Sequence, residues 1–313
     1  MKTKLLTACV AAALLAGCGT DGKDPQQQVQ AFDGAIQGIE GTYSCTADGV
    51  TETGALPKTA YSGFSTVTTT VDSLLFTNPS SCTFTFNPTA GAVDVSNGKS
   101  MADVTLTKPR GLASSGSKIV ATPFTTLVAQ ALDGADYTEA AATQVLKDLG
   151  LDGITNNTGV SVTELMTDLE GAIAKLQNSA DENTKKLAGQ LTATTHVLTD
   201  VLVKKGTLTS TETAVLAKNL AATVTSSNPF YPAAGATGTG GNIVVDVKAT
   251  VDAVIADPAK KDTMTNPATT IDDIPADVKT EVGNSETPAK PVDPNPGTGT
   301  GTGTGSGGGS TGD

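Results

Sequence analysis

The sequence contains no tryptophan and few other aromatic residues, with four tyrosines and seven phenylalanines among 313 residues. A glycoside hydrolase needs a pair of carboxylates in a cleft, and aromatic side chains commonly line such a cleft. The adjacent acids Asp272 and Asp273 are a candidate pair, but the shortage of aromatic residues argues against a sugar-cleaving site. The hydrophobic core must instead be built from small aliphatic side chains.

Histidine occurs once, at position 196. A Ser-His-Asp relay would need His196 to meet a serine and an acid. Asp200 lies one helical turn further on, but the sequence has no Gly-x-Ser-x-Gly motif to present a nucleophile. We therefore interpret the His196 and Asp200 pair as part of a solvated helix face, and we predict that the protein is not an enzyme.

The residue groupings that hold metals and cofactors are also missing. Zinc requires clustered cysteine or histidine, and a calcium loop requires regularly spaced acids followed by a distal glutamate. Residues 133–136 and 152–157 contain only fragments of the calcium pattern, which turns and helix caps explain. The glycine runs at 235–241 and after Gly297 do not follow a strand as a phosphate-binding loop does. The sequence predicts no metal site and no cofactor.

Basic residues are scarce, with 20 Lys and Arg against 32 Asp and Glu and a formal net charge of −12. Proteins that bind nucleic acid gain affinity from Lys and Arg that displace counterions from phosphates. This chain has no basic stripe that could do so. Nucleic acid is therefore excluded as a partner.

The apolar stretch at residues 5–15 is too short to remain as a membrane-spanning helix. It follows a basic start, as in a secretory signal peptide. It ends in Leu15-Ala16-Gly17-Cys18, which resembles the lipobox of bacterial lipoproteins. The resemblance implies that residues 1–17 are a signal peptide and that Cys18 becomes the first mature residue, carrying palmitate or similar acyl chains.

The resemblance also implies a location. Two or more acyl chains give a stable membrane anchor, and in this family an aspartate after the cysteine favours the inner membrane. Gly19 stands there instead, which indicates a lipid-anchored protein of the cell outer membrane. Two other interpretations are an ordinary secretory signal that happens to contain a cysteine, and a buried N-terminal helix.

Four cysteines occur in the chain. Cys9 lies within the signal peptide and Cys18 is used for lipidation, which leaves Cys45 and Cys82. Export places these two in an oxidising compartment, where an isolated pair usually forms a structural disulfide. We predict a Cys45–Cys82 bond that stabilises the fold by about 3–4 kcal/mol.

The N-terminal part of the mature chain divides into two segments. Residues 18–41 are predicted to be a polar tether and a short helix over 25–39, because Val29, Phe32, Ile36 and Ile39 recur at helical spacing. Residues 42–110 contain short β-prone runs and are predicted to form a β-rich unit. In SCTFTFN the cysteine and the two phenylalanines alternate with polar residues, so Cys82 should face the core.

Residues 111–282 are predicted to form a mainly α-helical domain. Capping signals mark the helix starts at Thr122-Pro123, Thr138, Ser161 with Glu164, Asp181, and Thr209 with Glu212. The apolar residues at 243–255 also follow helical spacing, although their types favour strand. A last short helix is expected over 275–282.

One part of this domain resembles known proteins. The stretch ATPFTTLVAQAL, followed by an alanine-rich helix, is similar over residues 120–151 to a Thr-Pro-Leu-Thr-Thr-Leu-like segment of bacterial surface and secreted proteins. Phe124 replaces the usual leucine. The resemblance implies an envelope or surface protein and carries no catalytic residues.

Residues 283–313 are rich in glycine, threonine and proline and predict a disordered tail, because they cannot bury enough apolar surface to offset the ordering entropy. The predicted fold class is therefore α+β, with a disulfide-linked β-rich unit, a helical domain and this tail.

Three functions fit these observations. The first is a non-enzymatic, lipid-anchored envelope or surface protein with a structural, adhesion or complex-assembly role, whose partner is another envelope protein or extracellular matrix. The second is a binding lipoprotein that carries a small apolar ligand between its helices. The third is a hydrolase with a dispersed active site. The sequence favours them in that order.

Overall fold

A computed structural model describes residues 24–112 and 119–294. Strands dominate the first half of the chain. These strands are β1 (Gln26–Ala31), β2 (Ile36–Gln37), β3 (Glu40–Ala47), β4 (Val50–Leu56), β5 (Phe64–Thr68), β6 (Cys82–Asn87), β7 (Val93–Asp94), β8 (Leu106–Lys108) and β9 (Val120–Ala121). A single helical turn, α1 (Leu74–Thr77), and a 3-10 turn (Pro79–Ser81) lie between β5 and β6.

Helices dominate the second half. They are α2 (Pro123–Leu132), α3 (Glu139–Asp148), α4 (Asp152–Asn157), α5 (Val162–Thr167), α6 (Leu169–Gln177), α7 (Glu182–Lys204), α8 (Ser210–Ser227), α9 (Lys248–Ala256), α10 (Pro258–Met264) and α11 (Ala276–Asn284). Two short strands, β10 (Ile243–Val245) and β11 (Glu286–Pro288), pair near the end. The predicted α+β class, with strands first and helices second, is confirmed.

Two parts of the prediction lie outside the described residues. These are the N-terminal residues 1–23, which hold the signal peptide at 1–17, its lipobox, Cys18 and the start of the tether, and the tail from residue 295 onward. Among the described residues, no helix is both long enough and apolar enough to cross a membrane.

The β-rich unit contains a four-stranded antiparallel sheet in the order β4-β3-β6-β8. Cys45 of β3 lies directly opposite Cys82 of β6, and the two form the predicted disulfide. Phe84 and Phe86 are buried on the same face of β6 as Cys82, while Thr83 and Thr85 are partly exposed. The alternation in the sequence thus predicted both the strand and the direction of its cysteine.

The predicted helix at residues 25–39 is wrong, because this segment forms β1 and β2. β1 is the central strand of a three-stranded sheet, antiparallel to β5 and parallel to β9. Val29, Gln30 and Ala31 are consecutively buried, as expected for a strand with neighbours on both sides. Because β9 lies about ninety residues further along the chain, the local apolar spacing could not reveal this pairing.

The predicted helix starts in the second half are confirmed. The side chains of Thr122, Thr138, Ser161, Asp181 and Thr209 each accept a hydrogen bond from a backbone N–H in the first turn of their helix. Such caps satisfy backbone donors that have no partner within the helix. Short-range polar signals therefore located these helices well.

The longest helix, α7, lies at the centre of the helical half. It contacts α2, α6, α8 and α9. Its buried residues run almost continuously from Ala188 to Val201. Because neighbouring elements cover α7 on several sides, the helix buries polar as well as apolar residues. His196 is one of these buried polar residues.

The segment at residues 243–255 is a helix only in part. Residues 243–245 form β10, and α9 begins at Lys248. The chain beyond Gly283 also remains regular further than predicted, because β11 pairs with β10. The backbone N–H groups of Lys290 and Val292 then donate to the carbonyls of Asn97 and Val95, at 2.8 and 2.9 Å. The C-terminal segment therefore packs against the loop after β7 in the strand-rich half.

Candidate functional site

A pocket of about 320 Å³ opens between the strand-rich half and the helical half. Its walls come from the β1–β2 turn, the loop after β7, helices α6 and α7, and the segments beside β10 and β11. The apolar part of its lining includes Phe32, Val95, Ile173, Pro232, Ile243 and Ala289. These residues are widely separated in sequence, so the pocket forms only when the two halves pack together.

One wall is fixed by the carboxylate of Asp94, which is fully buried. It accepts hydrogen bonds from the Ser96 backbone N–H at 2.8 Å, the Ser96 hydroxyl at 2.7 Å and the Asn97 side-chain amide at 2.6 Å. Gly34 of the facing turn passes so close that an added Cβ would lie 2.5 Å from Asp94 Oδ1. The close approach requires glycine there, because the three hydrogen bonds hold the Asp94 carboxylate in place.

His196 lies in the pocket wall on α7 and is 5% exposed. Its Nδ1 atom is 2.8 Å from the hydroxyl of Tyr231, and the two rings meet edge to face. Burial lowers the pKa of His196 to about 4, so the imidazole is neutral near pH 7. Burial raises the pKa of Tyr231, so its hydroxyl keeps the proton that it can donate to the imidazole.

The interpretation of His196 and Asp200 as a solvated face is wrong. Asp200 is fully buried, and its Oδ2 atom accepts from Lys99 Nζ at 2.8 Å and from the Val247 backbone N–H at 2.8 Å. Lys99 also donates to the Val245 carbonyl at 2.9 Å. The helical spacing correctly placed both residues on one face, but neighbouring elements cover that face.

Asp33 lines the pocket with a buried carboxyl group that is poorly supplied with hydrogen bonds. It lies in the tight β1–β2 turn and is 2% exposed, and neither carboxylate oxygen has a hydrogen-bond partner among the described residues. Burial raises the pKa of Asp33 well above its usual value, while the charge of Lys99 and the nearby Thr199 hydroxyl act in the opposite direction. A buried carboxylate without partners is costly.

The site brings a serine, a histidine and acids to one pocket without joining them in a catalytic relay. The Ser96 hydroxyl donates to Asp94, and the Nδ1 atom of His196 is paired with Tyr231. A relay would need the serine hydroxyl to donate to the imidazole. In the observed arrangement the Ser96 hydroxyl is held by Asp94 and does not donate to the imidazole.

The other acidic residues considered from the sequence have local structural roles. Asp273 accepts from the backbone N–H and the hydroxyl of Thr270. Asp133 ends α2 in a left-handed conformation, and Asp152 lies in the first turn of α4. No group of three or more potential metal ligands occurs among the described residues.

The residues of the site that were not identified from the sequence include Asp33, Asp94, Lys99 and Tyr231. Asp33-Gly34 and Asn97-Gly98 are recognisable turn signals, but a turn signal does not show which part of the chain it will face. Lys99 pairs with Asp200 across 101 sequence positions. A contact between residues so far apart produces no local sequence pattern, so the sequence alone could not predict it.

No protein-family model, curated protein or solved structure matches this chain. The pocket must therefore be interpreted from its own geometry and charge. Its lining residues, its buried carboxylate and its neutral histidine are the features that a function has to explain.

Proposed function

We propose that this protein is a non-enzymatic, lipid-anchored protein of the outer membrane that binds a small, mainly apolar molecule in the pocket between its two halves. The pocket itself is the observation that carries this proposal. Binding sites for small molecules are typically concave, of a few hundred Å³, and lined by apolar side chains with a few placed polar groups. The pocket at Phe32, Ile173 and Ala289 has this composition.

The anchor is supported by the sequence Leu15-Ala16-Gly17-Cys18. β1 begins at Gln26, so seven residues separate Cys18 from the folded body. Such a segment spans roughly 25 Å when fully extended. A lipid at Cys18 would therefore hold the pocket close to the membrane surface.

Adhesion or complex assembly is a second candidate function. Val50, Val71 and Phe76 expose large apolar side chains on the strand-rich half, with Val71 64% exposed. Single exposed apolar residues are common on protein surfaces. We rank pocket binding first because several segments of the chain converge on the pocket.

The uncharged probe N-phenyl-1-naphthylamine, which fluoresces more strongly in apolar surroundings, tests pocket binding. We expect saturable binding to residues 19–313, the mature chain without Cys18, exported with an ordinary secretory signal. Ala289→Trp should abolish it, because the indole would occupy space that Ala289 leaves open in the lining. The matched control Val50→Trp adds the same side chain at a position that is 60% exposed and should bind normally.

Circular dichroism would establish that both tryptophan variants fold. Absence of saturable binding to the wild-type protein would refute the proposed function. Unchanged binding to a folded Ala289→Trp variant would show that the probe occupies a different site.

The anchor is tested separately by Cys18→Ser, which we expect to abolish incorporation of labelled palmitate in cells. The serine hydroxyl cannot take the place of the thiol that accepts the first lipid in lipoproteins. Cys9→Ser is the matched control and should be labelled normally, because position 9 lies in the segment that is removed. Normal labelling of Cys18→Ser would exclude the anchor.

A further inference from the structure

Among the described residues, the aspartate and glutamate side chains that line the pocket are not balanced by lysine or arginine. Asp33 and Glu170 both line it, whereas no lysine or arginine of the described residues does. His196 adds no positive charge near pH 7, because burial lowers its pKa to about 4. Burial raises the pKa of Asp33 well above its usual value, but an ammonium bound beside it would favour the ionised carboxylate, because a nearby opposite charge lowers a carboxyl pKa. An apolar pocket lined by acids and by no lysine or arginine among the described residues therefore favours a cation over an anion of the same shape.

The neighbouring charged groups are already paired, which leaves Asp33 as the group with bonding capacity. Lys99 is held by Asp200 and by the Val245 carbonyl. Asp94 accepts three hydrogen bonds within its own turn. Apart from the nearby Thr199 hydroxyl, which acts to lower its pKa, Asp33 has no hydrogen-bond partner for either oxygen among the described residues.

The two acids differ in exposure. Asp33 is buried beside His196, while Glu170 is exposed and makes one long contact, 3.5 Å, with the Gln30 side-chain amide. This places Glu170 toward the mouth of the pocket and Asp33 deeper. A cation entering from solvent would meet first one carboxylate and then the other.

We propose that the pocket binds a small organic cation with an apolar body and a primary ammonium group that pairs with Asp33. The ammonium supplies hydrogen-bond donors to a carboxylate that, among the described residues, otherwise has only the Thr199 hydroxyl nearby, and the body of the ligand packs against Phe32, Ile173 and Ala289. This inference rests on the proposed function, since it specifies the ligand of the same pocket.

The test compares benzylamine, which is a cation at neutral pH, with benzyl alcohol, which is uncharged and nearly identical in shape. Each displaces N-phenyl-1-naphthylamine from the mature wild-type chain. We expect benzylamine to compete at a concentration at least about tenfold lower, because hydrogen bonds to charged groups contribute more than neutral ones.

Asp33→Asn should remove this preference for the amine, so that benzylamine and benzyl alcohol compete at similar concentrations. We expect the variant to fold, since an amide is uncharged, close to a carboxyl group in size, and free of the cost of burying a charge. Asp103→Asn is the matched control: it makes the same change at an exposed position outside the pocket lining and should leave the preference intact.

The outcomes separate the two proposals. If the uncharged probe binds but the amine and the alcohol compete equally well, the cationic ligand is overturned and pocket binding stands. If the probe does not bind at all, the proposed function itself fails. The comparison in the wild-type protein needs no variant, so it remains decisive even if Asp33→Asn does not fold.

Discussion

Asp200→Ala is expected to lower the free energy of unfolding by about 3–5 kcal/mol, as when one partner of a buried ion pair is removed. The side chains of Lys99 and Asp200 are 4% and 0% exposed, and their charged atoms lie 2.8 Å apart. The variant leaves the Lys99 ammonium buried without its bonded carboxylate. It also removes the acceptor of the Val247 backbone N–H. Urea unfolding at pH 7 would measure the loss.

A double variant separates the lost pair from general damage to the core. Lys99→Met with Asp200→Leu removes both charges and should recover much of the stability, because neither member of the ion pair is left buried without the other. Asp252→Ala breaks the exposed pair with Lys204 and should change stability very little. A loss in Asp200→Ala no larger than in Asp252→Ala would show that the buried pair does not hold the two halves together.

Lys108→Met is expected to raise stability at pH 7 and below, by roughly 2–4 kcal/mol. Lys108 is fully buried in the strand-rich half, where its ammonium donates to the Cys82 carbonyl at 3.1 Å and lies 5.3 Å from the centre of the Phe84 ring. These contacts do not replace full hydration. Burial lowers the pKa of Lys108 from 10.5 to about 7.

The sign of the pH dependence follows from proton binding. Between pH 7 and about 10 the unfolded chain keeps the Lys108 proton, while the folded chain has released it. The unfolded state therefore binds more protons, and wild-type stability rises with pH across this window as far as Lys108 contributes. The advantage of Lys108→Met should shrink toward pH 10.

Urea unfolding at pH 7 and pH 10 checks this prediction, with Lys58→Met as the control at an exposed position. The control should leave the pH dependence of the wild type unchanged. An equal advantage of Lys108→Met at both pH values would mean that Lys108 titrates in the folded protein as it does in the unfolded chain.

Features set by neighbouring residues could be predicted from the sequence. The alternation of apolar and polar residues around Phe84 and Phe86 predicted β6 and the inward orientation of Cys82. Successive side chains of a strand point to opposite faces, so the pattern alone carries this information. The polar caps at Ser161 and Thr209 located two helix starts, because a cap and the donors it satisfies lie within one turn. These signals do not depend on the rest of the fold.

Features set by distant residues could not be predicted. The apolar spacing of residues 25–39 suits a helix, but pairing with β5 and β9 makes the segment a strand. Asp200 seemed exposed because polar residues usually lie on the solvated face of a helix. Its burial depends on Lys99, which no local pattern connects with α7. The candidate site consists almost entirely of such long-range contacts.

The central claim is that the pocket between the two halves binds a small molecule. A crystal structure of the mature chain with bound N-phenyl-1-naphthylamine tests this most directly. We predict that the probe lies in the pocket, in contact with Phe32, Ile173 and Ala289. A probe bound instead against Val50, Val71 or Phe76, with the pocket empty, would contradict the claim and would favour a role in adhesion or assembly.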